Sequence, residues 1–232
     1  MKLGIMQPYF FPYLGYWQLI NAVDKFVLLD DVNFIMRGYI NRNSILVNKK
    51  QNLFTIPLDK PSQNKLIKET KLKFDAKSKD NFKKTLELAY KKAPEFNNFY
   101  PVIEDIINYS TEDLTQYIKY SIENVQKYLN INTSILISSE IQKNNSLKGE
   151  ERIIEINKQL KSAVYINPIG GMELYNSENF KKEGIELKFI KMNEIIYKQF
   201  NNEFIPNLSM IDILMFNSQN KIKEMLNDYT LI

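Results

Sequence analysis

The chain has no cysteine and no histidine, and these two absences remove whole classes of chemistry. Without a thiol there is no disulfide, thiolate nucleophile or zinc ribbon. Without an imidazole there is no Ser-His-Asp triad and no histidine-ligated metal. Proton transfer near neutral pH then needs a shifted carboxylate, lysine or tyrosine, or a group of the substrate itself. Arginine is scarce as well: among 31 basic residues only Arg37, Arg42 and Arg152 are arginine. The many Lys, Asn and Ile residues point to AT-rich codons, under which lysine serves wherever a point charge suffices. The remaining guanidiniums are therefore candidates for bidentate contact with phosphate or carboxylate, the alternative being pairing with surface acids.

Long hydrophobic runs are also missing. No apolar stretch approaches the roughly 18–20 residues of a membrane span, and the N-terminus lacks the regions of a signal peptide, so a cytoplasmic location is expected. The net charge of +4 comes from lysines interspersed with acids, which reads as a solvated surface and not as a nucleic-acid-binding face. At 232 residues and 44% hydrophobic, the chain can bury a full core, and a single α/β domain over residues 1–232 is expected.

What is present begins at the N-terminus. An apolar run, Leu3 to Met6, stops at Gln7-Pro8 and is followed by Tyr9, Phe10, Phe11 and Tyr13. Gly15-Tyr16 opens a short helix, and a second strand at Lys25–Leu29 closes on Asp30-Asp31. Strand, loop, helix and strand make a βαβ unit with parallel strands. Ligands of open α/β sheets bind beyond the carboxyl ends of the strands, where the aromatic loop and the Asp pair both lie.

Residues 44–73 alternate β-rich runs (Ile45–Val47, Leu53–Pro57, Leu66–Phe74) with polar turns, which predicts strands or hairpins extending the sheet. From Asp75 the period becomes helical, predicting a block at about 75–130: one helix ended by Ala93-Pro94, then helices at 99–109 and 111–129, the last capped by Ser110. Strands at Ser134–Ser138, Ala163–Asn167 and Ile185–Met192 then alternate with helices at Gly149–Ser162 and Ser177–Glu183. Two C-terminal helices, about 208–217 and 219–228, follow. The expected fold is α/β, with a partly parallel, Rossmann-like sheet, an inserted helical block and C-terminal helices.

Several clusters are candidate sites. The aromatics of the opening loop are core, pocket wall, or both. Asp31, favoured over Asp30, is the candidate catalytic base; either carboxylate can bind a sugar hydroxyl or Mg²⁺, or cap the next turn. Arg37-Gly38-Tyr39-Ile40-Asn41-Arg42-Asn43 suits a diphosphate or carboxylate, with Asn41 and Arg42 the leading binders, or else satisfies its own backbone. Lys148-Gly149-Glu150-Glu151-Arg152 places Arg152 at a helix start after the loop 144–149, either as an anion contact or as a surface pair. Asn167-Pro168-Ile169-Gly170-Gly171 ends a strand with bare backbone at Gly170, beside a ligand or in an ordinary connection. Ser209 and Asp212 read as a capping-box variant.

Gln7-Pro8-Tyr9-Phe10-Phe11-Pro12-Tyr13-Leu14-Gly15-Tyr16 resembles the opening signature of the WbqC-like proteins of bacterial surface-polysaccharide clusters. The resemblance continues through Leu29–Phe34, Asn41-Arg42-Asn43, Gly149–Arg152, Gly170-Gly171, Tyr197-Lys198-Gln199 and Leu208–Asp212. It implies a role in O-antigen synthesis, with transfer of glycine or another acyl group onto an amino sugar that is nucleotide-linked or lipid-linked. Gln7, Tyr9, Gly15, Tyr16, Asn41, Arg42, Arg152 and Gly170 would bind the substrate, and an acyl donor such as acyl-CoA would supply the group. The opening also resembles nucleotidyltransferases and adenylating ligases, which implies ATP with Mg²⁺. Those proteins carry a Gly-His pair where this chain has Gly15-Tyr16. A non-catalytic carbohydrate-binding or scaffold protein of the same pathway is the third expectation.

Overall fold

The computed structural model describes residues 1–201 and 203–232. Lys2–Met6 (β1), Leu14–Ala22 (α1) and Lys25–Leu28 (β2) form the opening unit. The two strands run parallel, with Leu3 opposite Lys25 and Met6 opposite Leu28. Leu3, Gly4 and Ile5 are all buried, as a central strand covered on both faces requires. A Cβ on Gly4 would lie 3.1 Å from the Phe26 ring and 3.3 Å from Leu19, so the bare backbone lets α1 settle closely on the sheet.

The chain then leaves the sheet. Arg42–Val47 (β3) and Lys50–Thr55 (β4) form an antiparallel ribbon. Asn48 and Lys49 turn it with φ of +48° and +65°, as a two-residue hairpin demands. Leu58–Asp59 (β5) and Lys71–Leu72 (β6) pair as a second ribbon. The sequence predicted strands or hairpins that extend the main sheet; a hairpin does form at β3–β4, but both ribbons stand apart from the sheet. In β4 only Phe54 is buried, a one-sided pattern suited to a ribbon resting on helices. The run Leu66–Phe74 is not one strand either, because a 3₁₀ turn at Ile67–Glu69 precedes β6.

Ala76–Tyr90 (α2), Phe96–Asn108 (α3) and Leu114–Leu129 (α4) make the helical block. Helix α3 starts earlier than predicted, at Phe96, and carries Pro101 inside it. The cap of α4 is Asp113, which accepts from Gln116 N at 2.9 Å, and not Ser110.

Ser134–Ile137 (β7) returns to the sheet beside β2. After Gly149–Gln159 (α5), Val164–Pro168 (β8) pairs with the other side of β1. Ser177–Lys182 (α6) leads to Glu186–Met192 (β9), which is parallel to β8. Met210–Phe216 (α7) and Gln219–Asn227 (α8) follow. A short strand, Tyr229–Leu231 (β10), closes the sheet antiparallel to β9 and was not predicted.

The sheet order is β10-β9-β8-β1-β2-β7, so the chain is α/β with a mostly parallel central sheet. Ile153 and Ile156 of α5 and Phe180 of α6 pack with Leu3, Ile5 and Val27. Phe26 and Leu28 pack with Leu19, Ile20 and the α8 residues Ile222 and Leu226. The winding reverses between β1 and β8, which places a natural crevice at their carboxyl ends.

Candidate functional site

The loop leaving β1 is held from three directions. Phe10 N donates to Ile40 O at 3.0 Å, and Met210 N donates to Pro12 O at 3.0 Å. The carbonyl of Phe11 accepts from Asn43 Nδ2 and from Ser209 Oγ, each at 2.8 Å. Phe11 itself has φ +44°, a strained value for a bulky residue that costs about 1–3 kcal/mol and persists only where surroundings over-determine it. Phe10, Phe11, Tyr16 and Trp17 go into the core, while Tyr9 and Tyr13 face outward into a groove.

The groove comprises two neighbouring pockets whose walls share Tyr13 and Asn207. One, of about 280 Å³, is lined by Tyr9, Pro12, Tyr13, Tyr39, Asn43 and Asn207. The other, of about 330 Å³, is lined by Tyr13, Asn193, Glu194, Tyr197, Phe204 and Asn207, with apolar residues of the 192–213 segment beneath. Together they match the size of a small-molecule site. Among the described residues neither part is lined by lysine or arginine, and Glu194 is the single carboxylate. Burial raises the Tyr9 and Tyr13 hydroxyls above their usual range, so both stay neutral donors.

Behind Tyr197 lies a buried carboxylate. Asp212 is fully enclosed and accepts from Tyr90 Oη at 2.7 Å, Tyr197 Oη at 2.7 Å and Gln199 Nε2 at 2.8 Å. Burial pushes its pKa up, against the pull of those three donors. Tyr90 Oη also accepts from Leu46 N at 3.0 Å, so β3, α2, α7 and the 193–209 segment meet here. Burial and the neighbouring Asp212 charge together raise Tyr197 far above the ordinary tyrosine range. The predicted capping box is half right. Ser209 Oγ accepts from Ile211 N at 3.3 Å, but Asp212 points into this hub.

Asp31 and Arg152 belong to a different cluster, at the ends of β2 and β7. Asp31 Oδ2 lies 2.8 Å from the Nζ of Lys143, whose side chain is fully enclosed, and Arg152 Nη1 lies 3.7 Å from Oδ1. Burial alone would raise the Asp31 pKa, but Lys143, the Ser138 hydroxyl and Arg152 outweigh it and hold the carboxyl below its usual range. Lys143 Nζ also donates to Ser138 O. Arg152 donates Nε to Leu147 O at 2.8 Å, Nη1 to Asp31 O at 2.6 Å and Nη2 to Asn145 O at 3.0 Å. Three of its five N–H groups thus clasp the 145–147 loop onto the segment that follows β2. Asp30 accepts from Ser139 N and Oγ at 2.9 and 2.7 Å.

The remaining predicted residues divide between the groove and its support. Gln7 accepts from Tyr9 Oη at 3.4 Å through its side chain and from Tyr16 Oη at 2.9 Å through its carbonyl. Tyr16 is thereby turned inward, and a Cβ on Gly15 would lie 2.6 Å from the Tyr13 ring. The start of α1 therefore does not fit the phosphates of ATP: its glycine face is covered and its aromatic partner is buried. Asn41 Nδ2 donates to Ile56 O at 2.8 Å. Arg42 Nε donates to Gly38 O, one residue before Tyr39, at 2.9 Å, and the side chain is half-buried without lining either pocket. Gly170 is open, whereas a Cβ on Gly171 would collide with the Asn167 amide at 1.9 Å.

A model of the WbqC-like protein family matches residues 7–224. The chain belongs to the WbqC-like family. The match starts at Gln7 and takes in both parts of the groove and the Asp212 hub. The chain is also 24% identical over 216 residues to the uncharacterized protein Rv1507c of Mycobacterium tuberculosis, covering 92% of each. No solved structure matches it. Sequence reasoning on this WbqC-like chain missed Glu194, Phe204 and Asn207, which lie in the segment between β9 and α7 and have no periodicity to mark them. Tyr197 and Asp212 carried a signal in the family resemblance, but not the contact between them.

Proposed function

We propose that this WbqC-like protein transfers an acyl or glycyl group onto the amine of an amino sugar in surface-polysaccharide (O-antigen) synthesis, with the sugar in the Tyr9–Tyr13–Tyr197 groove. The observation that carries the reading is the lining: tyrosine faces and amides, one carboxylate and no cation. Aromatic walls suit the apolar faces of a sugar, and amides suit its hydroxyls. Tyrosine faces and Glu194 attract an amine, whereas a phosphate placed inside would meet no positive charge. The diphosphate of a nucleotide- or lipid-linked sugar would instead lie at the mouth, near Arg42.

In the transfer, the amine nitrogen attacks the carbonyl carbon of a thioester or acyl-phosphate donor. The C–N bond forms, the bond to sulfur or oxygen breaks, and the leaving group departs with its electron pair. The amine proton passes to Tyr197 Oη as the tyrosine proton moves to Asp212 Oδ2, whose raised pKa favours acceptance. Asp31, paired with Lys143 and held ionised, is the weaker candidate for this role. Adenylation finds no support at the start of α1.

Titration calorimetry with the methyl glycosides of glucosamine, N-acetylglucosamine and glucose tests the binding. The amine should bind at least about tenfold more tightly than either analogue, and Tyr13→Ala should abolish the difference. Equal affinity for all three overturns the reading. Mass spectrometry of N-acylated sugar after incubation with acetyl-CoA, or with a glycyl thioester, tests turnover; selective binding with no product identifies a carbohydrate-binding protein.

A further inference from the structure

The two edges of the β3–β4 ribbon differ in their hydrogen bonding. Ile56 N donates to Asn41 O at 2.7 Å. Antiparallel pairs alternate, so Asn43–Phe54, Ile45–Asn52 and Val47–Lys50 are the hydrogen-bonded pairs of the ladder. The backbone groups of the residues between them point away from the ribbon. On β3 these groups are engaged. Ser44 N donates to Asn43 Oδ1, Leu46 N donates to Tyr90 Oη, and Ser44 O accepts from Ser209 N. On β4 the outward groups belong to Gln51, Leu53 and Thr55, and among the described residues none of them finds a partner. All three residues are exposed, and Leu53 is 53% exposed. A groove of about 320 Å³ lies beside this edge, lined by residues 52–57 and by Asn81, Phe82 and Thr85 of α2.

A row of unpaired N–H and C=O groups is a template for another extended strand. Native edges are blunted by charge, proline or a bulge. Between Gln51 and Thr55 there is no charge and no proline, and the unbroken register with β3 leaves no bulge. The segment also complements itself. About a two-fold axis at Leu53, antiparallel pairing sets Leu53 opposite Leu53 and Gln51 opposite Thr55, with Lys50 opposite the apolar Ile56. No like charges meet. The outward N–H and C=O groups satisfy one another, and a marginal two-stranded ribbon becomes half of a four-stranded sheet. We propose that this chain forms a symmetric dimer by antiparallel pairing of β4 with β4 of a second copy. The pairing edge lies opposite the β3 edge that meets Ser209, so the groove stays open. The dimer does not depend on what the groove binds.

Because the chain has no cysteine, single introduced cysteines report the register. Facing residues of a hydrogen-bonded pair have Cα atoms about 5.5 Å apart, within disulfide range. Leu53→Cys should therefore give a disulfide-linked dimer under mild oxidation. Gln51→Cys and Thr55→Cys each lie about 13 Å from their own copy, so they should crosslink only when the two variants are mixed. Analytical ultracentrifugation of the unmodified chain, from low micromolar to submillimolar concentration, should show a monomer–dimer equilibrium. Leu53→Lys sets two charges face to face and should weaken it at least about tenfold. Since Leu53 is exposed, the dilute variant should melt at the temperature of the dilute parent. A chain that stays monomeric throughout overturns the proposal and leaves the edge to a foreign strand. A dimer that Leu53→Lys leaves intact, or Gln51→Cys crosslinking alone as readily as Leu53→Cys, overturns it as well.

Discussion

Asn43 donates to the carbonyl oxygen of Phe11 across 2.8 Å, tying the first residues of β3 to the loop that ends β1. Ser209 donates to the same oxygen from the start of α7. One carbonyl in a strained residue therefore joins the opening loop, the inserted ribbon and the C-terminal helices. Replacing Asn43 by Ala leaves a buried acceptor short of a donor and should cost about 1–3 kcal/mol. Urea denaturation would measure this, and a loss under about 0.5 kcal/mol would show that Ser209 alone holds the loop.

The glycine at the start of α1 offers a separate probe of the groove. In Gly15→Ala the new methyl would meet the Tyr13 ring at 2.6 Å, so the ring must swing out of the groove wall. The expected outcome is at least about tenfold weaker methyl glucosaminide binding with a folded spectrum by circular dichroism. Undiminished affinity would show that Tyr13 is not part of the wall that matters.

Asp212 and Asp31 should drive stability with pH in opposite directions. The folded-state pKa of Asp212 is raised, so its contribution is greatest below the unfolded value near 3.8 and is lost as pH rises through the folded value. That of Asp31 is lowered, so its contribution is present above the unfolded value and is lost as pH falls through the folded one. Urea midpoints of Asp212→Asn and Asp31→Asn against the parent, from about pH 2 to 7, should therefore diverge with opposite slopes, the Asp31 effect below about pH 4 and the Asp212 effect above it. Parallel slopes would mean that one of the two environments is wrong.

Lys143→Met should be the most damaging of the single changes considered. It strands the Asp31 carboxylate, and breaking a buried pair of this kind costs about 3–5 kcal/mol. Arg152→Lys is milder: it cannot reach three carbonyls at once, so the 145–147 loop should be cut faster by protease while methyl glucosaminide affinity stays unchanged. A fall in affinity would return Arg152 to the binding site.

The sequence disclosed the order of the α/β elements because each carries its own period or punctuation. Gln7-Pro8 stops β1, and Gly184, with φ +73°, ends the turn after α6. It also located one wall of the groove, since Tyr9 and Tyr13 must leave the end of a central strand. The opposite wall was illegible because residues 193–209 follow neither a helical nor a strand period. The hub was hidden for another reason: Tyr90 stands 122 residues before Asp212, and only packing of α2 against α7 brings them together. The arginine argument was informative about geometry more than about ligands. Arg152 does make contacts that lysine could not copy, but to backbone carbonyls of its own chain.

The insertion between β2 and β7 sets the order in which a growing chain can complete itself. From Leu28 to Ser134 the ribosome releases the two ribbons and three helices before the next strand of the main sheet exists. The groove then waits for Tyr197, Asn207 and Ser209, close to the C-terminus. A nascent chain would thus expose Tyr9, Tyr13 and the carbonyl of Phe11 through most of its synthesis. Arrest or premature termination before residue 209 would yield a polypeptide with much of its sheet but no site.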